Sequence, residues 1–360
     1  MPEITIETAE RIAEIADAWK ALDAEALRRI GEGAMLPIHY TFYQTLPWNA
    51  FVEEYYASHT RLFSRLEYIV ARREGRVVAI LPLRISGLAG KKVEMTAWRT
   101  AGVNNVSSPY AASDDEADAA IFTAIAGFMA ERYKGHRLRL FDMPEQTHFT
   151  RALESLPGVK LTTRPSFHIP LSEWDDFDAY YASLSKKLRH NIQTRSNHFT
   201  HGDLSWELKE YDRIGAPSRD EWLKVWRIFY YRKLQWNSRT ATLLRRIGCE
   251  WEARREVDSG MRVDGFTRLD EARLCVFEIN GEPAAFAFYY VGPGGHIVVP
   301  KLAIDTRFRT HAPGILMLKE LLRRCYDRGI RDFDLCRGEE PYKQQMGAVC
   351  QTIVRATGRL

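Results

Sequence analysis

The chain has 360 residues, 45% hydrophobic and 27% charged, proportions that supply cores for two domains of about 150–200 residues each. A formal charge of +4 leaves no general nucleic-acid footprint, so no DNA partner is expected, and any basic surface must be local. Five cysteines without CxxC spacing argue against a disulfide framework and a zinc site, so no metal is expected; without a signal peptide or an 18-residue apolar run, the expectation is a cytoplasmic protein that does not insert into membranes.

In chain order, "ITIE" reads as a strand, followed by a helix from about residue 10 and a second helix at "WNAFVEEYYASH". "LEYIVARREGRVVAILPLRI" is two period-2 apolar runs around Glu74-Gly75, a hairpin signal. After a loop, "EADAAIFTAIAGFMAERYKG" predicts an amphipathic helix, and "RLRLFDM" a short strand ending at Asp142. "LESLPGVKLTTRPSFHIPLSE" is rich in proline and turn residues and places a domain boundary near residue 160. From 175 to 260 the apolar spacing is mostly helical, with Ser218 and Glu221 forming a capping box.

The order then repeats. "ARLCVFEINGEPAAFAFYYVG" is a hairpin turning at Asn280-Gly281, "HIVVPKLAI" continues the sheet, and a helix runs to Arg328, followed by Gly329 and the strand "RDFDLCRG" containing Asp334. Two similar α/β halves predict an α/β (α+β) chain of mixed, mostly antiparallel sheets with flanking helices. The first domain is placed at 1–160 and the second at 161–360, with a helical insertion at 175–260.

The stretch "RTHAPGILMLKELL" at 309–322 carries the chemistry. Apolar residues at 315, 316, 318, 321, 322, 325 and 326 define one helix face, and Pro313-Gly314 opens the helix. Unsatisfied amides of a first turn, with the helix dipole, suit an anion. Arg309, Thr310, His311, Ala312, Pro313 and Gly314 fit R-x-x-G-x-G with alanine for the first glycine, and Ile315 starts the helix proper. Neither a Walker loop nor a dinucleotide loop fits, because GKS/GKT is absent and the strand before the loop belongs to a hairpin.

R-x-x-G-x-G is the pyrophosphate loop of the GNAT acyl-CoA transferases. With Arg309, Pro313-Gly314, Gly329, "FDL" containing Asp334, Gly338 and Tyr342-Lys343, the chain resembles the CelD/BcsL-type acetyltransferases of that superfamily, which are related in architecture to the double-GNAT FemABX proteins. The basic helix at 183–195 and Gly102, Asn105 and Tyr110 belong to the same pattern. The resemblance implies two GNAT-like halves, the first degenerate because "SPYAASDDEAD" is acidic where pyrophosphate would sit. It implies an acyl-CoA co-substrate, most simply acetyl-CoA, held by residues 309–315, and no metal. Tyr342 and Asp334 are the candidate catalytic residues, Tyr342 as general acid to the leaving thiolate. Glu278 and His296 lie near where many GNAT enzymes carry a base. Lys186, Arg189 and Lys343 are expected to hold an anionic small-molecule or sugar-linked acceptor from cell-envelope or exopolysaccharide synthesis. Two alternatives stand beside this: an aminoacyl-tRNA-dependent ligase of FemABX type, whose basic helix binds tRNA, and a non-catalytic envelope-assembly subunit.

Overall fold

A computed structural model describes residues 3–59, 64–87, 91–96, 103–200, 204–236 and 243–360. The first half runs β1 (Ile4–Ala9), α1 (Ala16–Gly31), α2 (Leu46–His59), β2 (Ser64–Arg73), β3 (Arg76–Ser86), β4 (Lys92–Met95), α3 (Ala119–Arg132), β5 (Arg137–Pro144) and α4 (His148–Glu154). Then come β6 (Val159–Ile169), α5 (Phe177–Ser183), α6 (Lys186–Thr200), β7 (Trp206–Tyr211), α7 (Arg219–Trp236), α8 (Leu243–Ser259) and α9 (Met261–Arg268). The chain continues through β8 (Ala272–Ile279), β9 (Glu282–Gly292), β10 (His296–Ile304), α10 (Pro313–Asp327), β11 (Asp332–Arg337), α11 (Pro341–Gln345) and β12 (Val349–Arg359).

Among the described residues the strands form one sheet in the order β1-β2-β3-β4-β5-β12-β6-β11-β10-β9-β8-β7. The order is symmetric about its centre: β1–β5 in one half correspond to β7–β11 in the other. Each half has a hairpin whose two turn residues lie in the left-handed region, Glu74 (φ 51°) with Gly75 (φ 79°) and Asn280 (φ 51°) with Gly281 (φ 77°). That pair of dihedrals is the type I′ requirement, and it explains why both turns are legible as X-Gly. Each half also has one parallel pair, β4 with β5 and β10 with β11, joined by its crossover helix.

Two strands change places. β6 follows β5 in the chain but pairs with β11 (Phe333↔Ile169), while β12 follows β11 and pairs with β5 (Val354↔Met143). The two exchanged strands pair with each other from Val349↔His168 to Gly358↔Val159, closing the centre of the sheet. The segment read from composition as a turn-rich boundary is therefore an eleven-residue strand. Its Pro165 does not interrupt it, and β12 is absent from the sequence reading altogether. β7 likewise interrupts the stretch read as mostly helical.

α10 packs Leu316, Met317, Leu321, Leu322 and Cys325 on one face of the sheet. Each leucine, fully or nearly buried, contributes roughly 1.5–3 kcal/mol relative to an exposed one. At the other end of the helix, Arg324 and Arg328 reach Glu210 on β7 at 3.2 and 2.5 Å and fix the helix against the edge strand. The opposite face is covered by α2, α7, α8 and α9, with Trp48, Trp222, Trp226, Phe286 and Tyr290 buried there.

Candidate active site

β10 and β11 are parallel partners only from His296↔Asp332 to Val298↔Asp334. Beyond this, β10 bulges between Val298 and Lys301, and β11 turns away at Cys336, whose φ is 62°. On its other edge β11 stays with β6, at Phe333↔Ile169, Asp334↔His168 and, past a register shift, Arg337↔Ser166. The strands thus part into a fork, spanned at its root by the Cys336 Sγ and the Val299 carbonyl, 3.2 Å apart. A forked parallel pair leaves backbone amides and carbonyls of both strands unpaired across the gap.

The left-handed turn after Cys336 is held by Lys343. Its ammonium donates to the carbonyls of Cys336 (2.9 Å), Arg337 (3.0 Å) and Gly338 (3.1 Å), and lies 3.1 Å from Glu340. Lys343 is only 2% exposed. An ammonium has three protons, and all three are used here, so Lys343 does not hold an acceptor. The expectation that it binds substrate is corrected: this lysine builds the fork.

Asp334 is fully enclosed, and its Oδ1 accepts the Cys336 amide at 2.6 Å. Burial pushes its carboxyl up to about 7 against the pull of that amide; Asp332 adds to the rise, and His168 and the Val103 amide oppose it. A sealed carboxyl whose Oδ1 bonds the turn two residues ahead helps to shape the fork. Beneath it, His168 Nδ1 lies 2.5 Å from Asp332 Oδ2, and His296 Nε2 lies 3.5 Å from Asp332 Oδ1. Burial lowers His296 to about 4, and the ring is completely enclosed, so it is not placed as a base. Glu278 is bonded to Lys209 at 2.8 Å on the pair β7–β8, away from the fork.

Tyr342 lies on the α10 side of the fork, half-buried and packed against the same cluster as Leu316 and Met317. Burial raises its hydroxyl well above the usual range, with Glu340 and then Cys336 adding to the rise. A phenol so disposed is protonated at neutral pH and within electrostatic reach of the fork residue Cys336.

The stretch before α10 is a 3-10 turn over Thr306–His311, capped by the Asp305 carboxylate on the Arg307 amide at 2.9 Å. Ala312 follows with φ 51° and ψ 46°, and α10 begins at Pro313. The left-handed alanine stands where R-x-x-G-x-G has its first glycine, so the pattern's glycine has a conformational reason here. The Ile315 and Leu316 amides both turn back to the Ala312 carbonyl, while the Gly314 amide has no protein acceptor among the described residues. No side chain caps this helix. Arg309 and Thr310 are exposed and His311 partly so; Arg309 has no carboxylate partner among the described residues, whereas Arg307 is tied to Asp305 and Glu282. Gly314 is required for a reason the motif did not give: a Cβ there would lie 2.7 Å from Ile304 Cγ2 on β10.

α6 exposes Lys186 and Lys187, while Arg189 is half-buried and donates to the Leu184 carbonyl at 3.1 Å. The helix packs on α10, and its Phe199 ring lies 5.9 Å from that of His311. The basic helix and the loop at 309–314, more than a hundred residues apart in sequence, are thus in contact. Of the first-half residues in the pattern, Gly102 lies outside the described residues. Asn105 is buried and bonds the Val106 amide, and Tyr110 sits under Arg29 and Arg73.

Residues 186–344 match the family model of the acetyltransferase (GNAT) domain. The chain carries a GNAT-type acyltransferase domain. No curated protein matches it. Among solved structures it is similar to FemX, with a TM-score of 0.54 and 11% identity over 97% of this chain and 96% of that one. A tandem GNAT protein from the clavulanic acid biosynthesis pathway gives 0.51 and 11% over 99% and 98%. A conserved protein of unknown function from Bacteroides thetaiotaomicron gives 0.53 and 12% over 99% and 100%. These likenesses establish the tandem GNAT fold. Among the described residues no helix is long and apolar enough to cross a membrane, and no cluster of three or more His, Cys, Asp or Glu residues is arranged to hold a metal.

Proposed function

We propose that the protein transfers an acyl group, most simply acetyl, from coenzyme A to an amine or hydroxyl of an anionic, sugar-linked or other small acceptor used in building the cell envelope or an exopolysaccharide. The observation that carries this reading is the fork of β10 and β11 beside the acid-free start of α10. The pyrophosphate would lie on the Gly314 amide and the helix dipole, with Arg309 and Thr310 at its edge. The acyl thioester would lie in the fork, its carbonyl polarised by unpaired strand amides. The acceptor nucleophile attacks that carbonyl and gives its proton to solvent; the carbon–sulfur bond breaks, and Tyr342 protonates the departing thiolate and takes a proton back from solvent. The first half is read as degenerate, with no acyl-CoA site of its own. In a thermal-shift series with coenzyme A, acetyl-CoA and longer acyl-CoAs, the thioester that fits is expected to raise the melting temperature most. Absence of any shift would remove the reading.

The exposed lysines of α6 support a second reading, an aminoacyl-tRNA-dependent ligase. It differs in outcome: RNA would bind with a steep salt dependence, and coenzyme A would give no protection.

A further inference from the structure

The face of the sheet opposite α10 carries groups that the chemistry above leaves unused. Past the bulge in β10, Lys301 projects onto this face, in the parted half of the fork, with its ammonium 4.5 Å from the centroid of the Phe229 ring on α7. The Arg232 guanidinium lies 3.6 Å from the same ring centroid, and its hydrogen bond goes to the Phe229 carbonyl. Among the described residues neither cation has a carboxylate partner. Arg262 of α9 is nearby, 24% exposed and bonded to Glu256 at 2.9 Å. Burial pushes the Lys301 ammonium down to about 7; Arg262, Arg232 and Arg337 add to the depression, and Glu256 opposes it. Like charges gathered in a half-buried place without enough anions repel one another, and an incoming anion relieves that repulsion.

Deeper on the same face are two sealed donors. The Trp226 indole N–H and the Tyr43 hydroxyl are buried without a hydrogen-bond partner among the described residues. The Arg262 guanidinium lies 5.9 Å from the Trp226 ring centroid, and Tyr43 feels the charges of Arg262, Cys336 and Asp334. Buried donors without acceptors are rare because each has lost its water, and these two, closed off from solvent, mark a polar floor beneath the half-buried cations.

We infer that this cluster of cations is where the acceptor binds, and that Lys301, Arg232 and Arg262 hold a carboxylate or phosphate of it, with the nucleophile directed to the fork beside Cys336. The inference rests on the acyltransferase reading. It also moves anion recognition from Lys343 and α6, where the sequence had placed it, to the opposite face of the sheet from α10.

The test uses the protein saturated with coenzyme A, so that the start of α10 is already occupied, and titrates inorganic phosphate and succinate by thermal shift. At least one anion is expected to protect the parent. Lys301→Met, which replaces a buried ammonium with an apolar side chain of similar length, is expected to weaken that anion at least tenfold while leaving coenzyme A affinity unchanged. Arg232→Gln provides a second variant with the same expectation. Stronger protection by phosphate assigns a phosphorylated acceptor, and stronger protection by succinate a carboxylate. No protection of the coenzyme-loaded parent, or equal protection of the parent and both variants, overturns the inference. Failure of the parent to bind coenzyme A overturns the acyltransferase reading and the cluster's role with it.

Discussion

The two crossover helices begin in opposite electrostatic circumstances. Before α3, Asp115 accepts the Ala117 amide at 2.9 Å, and Asp118 is bonded to Arg73 and Ser113, each at 2.7 Å. Neither carboxylate bonds an amide of α3 itself, but Asp118 is its N-cap residue and sets a negative group beside its positive end. Before α10 the preceding acid, Asp305, caps the 3-10 turn and pairs with Arg307, and residues 306–312 directly ahead of the helix hold no acid, ending in a left-handed alanine. Both helices lie between the strands of a parallel pair in one symmetric sheet, so architecture does not distinguish them. The difference teaches that one half sets a carboxylate at its helix start and the other does not.

The sharpest way to break this contrast acts on the fork. Tyr342→Phe is expected to keep coenzyme A affinity and lower turnover by roughly 10²–10⁴-fold, since only the proton for the leaving thiolate is lost. A loss under tenfold in single-turnover kinetics would return Tyr342 to packing.

Next is Asp334→Asn, read by denaturant unfolding as a function of pH. The folded carboxyl titrates near 7 and the unfolded one near 3.8, so folding favours the protonated form. Its stabilising contribution is fully present below about pH 4 and is lost as pH rises to 7. The asparagine keeps the acceptor for the Cys336 amide and carries no charge. Its stability relative to the parent is therefore expected to rise from pH 4 to 7, by a few kcal/mol at most, and then level off. A flat difference would refute the assignment.

Third, Ala312→Asp gives α10 the kind of start that α3 has. The carboxylate would compete with phosphate for the same amides, and coenzyme A is expected to bind at least about tenfold more weakly, equivalent to about 1.4 kcal/mol. Calorimetric titration decides; unchanged affinity would separate the helix start from the cofactor.

The smallest effect is expected from Ala312→Gly, which removes a left-handed alanine and should stabilise the fold by about 0.5–1 kcal/mol without weakening coenzyme A. A lower melting temperature would contradict it. Gly314→Val, by contrast, should cost stability as well as affinity, because Ile304 already occupies the space of a Cβ.

Local signals were legible in the sequence, and long-range ones were not. Both hairpins, α3 and α10 could be placed because turn dihedrals and helical periodicity are properties of neighbouring residues. The exchange of β6 and β12 could not, because each pairs with strands remote in the chain, and nothing in "KLTTRPSFHI" announces a central strand. The motif located the loop at 309–315 but not the reason for Gly314, which is set by Ile304. Lys343 reads in sequence as a cation for an anionic acceptor; only the three carbonyls of the turn at 336–338 show it to be structural. Lys301 gave no signal, since its setting is made by Phe229 and Arg232 on α7 and Arg262 on α9.

The exchange of strands has a consequence for how the protein is made. As the chain leaves the ribosome, β5 emerges early, yet its partner β12 is translated after every other strand in the sheet. Until then β5 has a bare edge, open to pairing with other chains. Its exposed Arg137, opposite Arg359 of the late strand, places a positive charge on that edge, while Arg139 is paired with Glu94. That charge disfavours edge-to-edge pairing of two copies before β12 is in place.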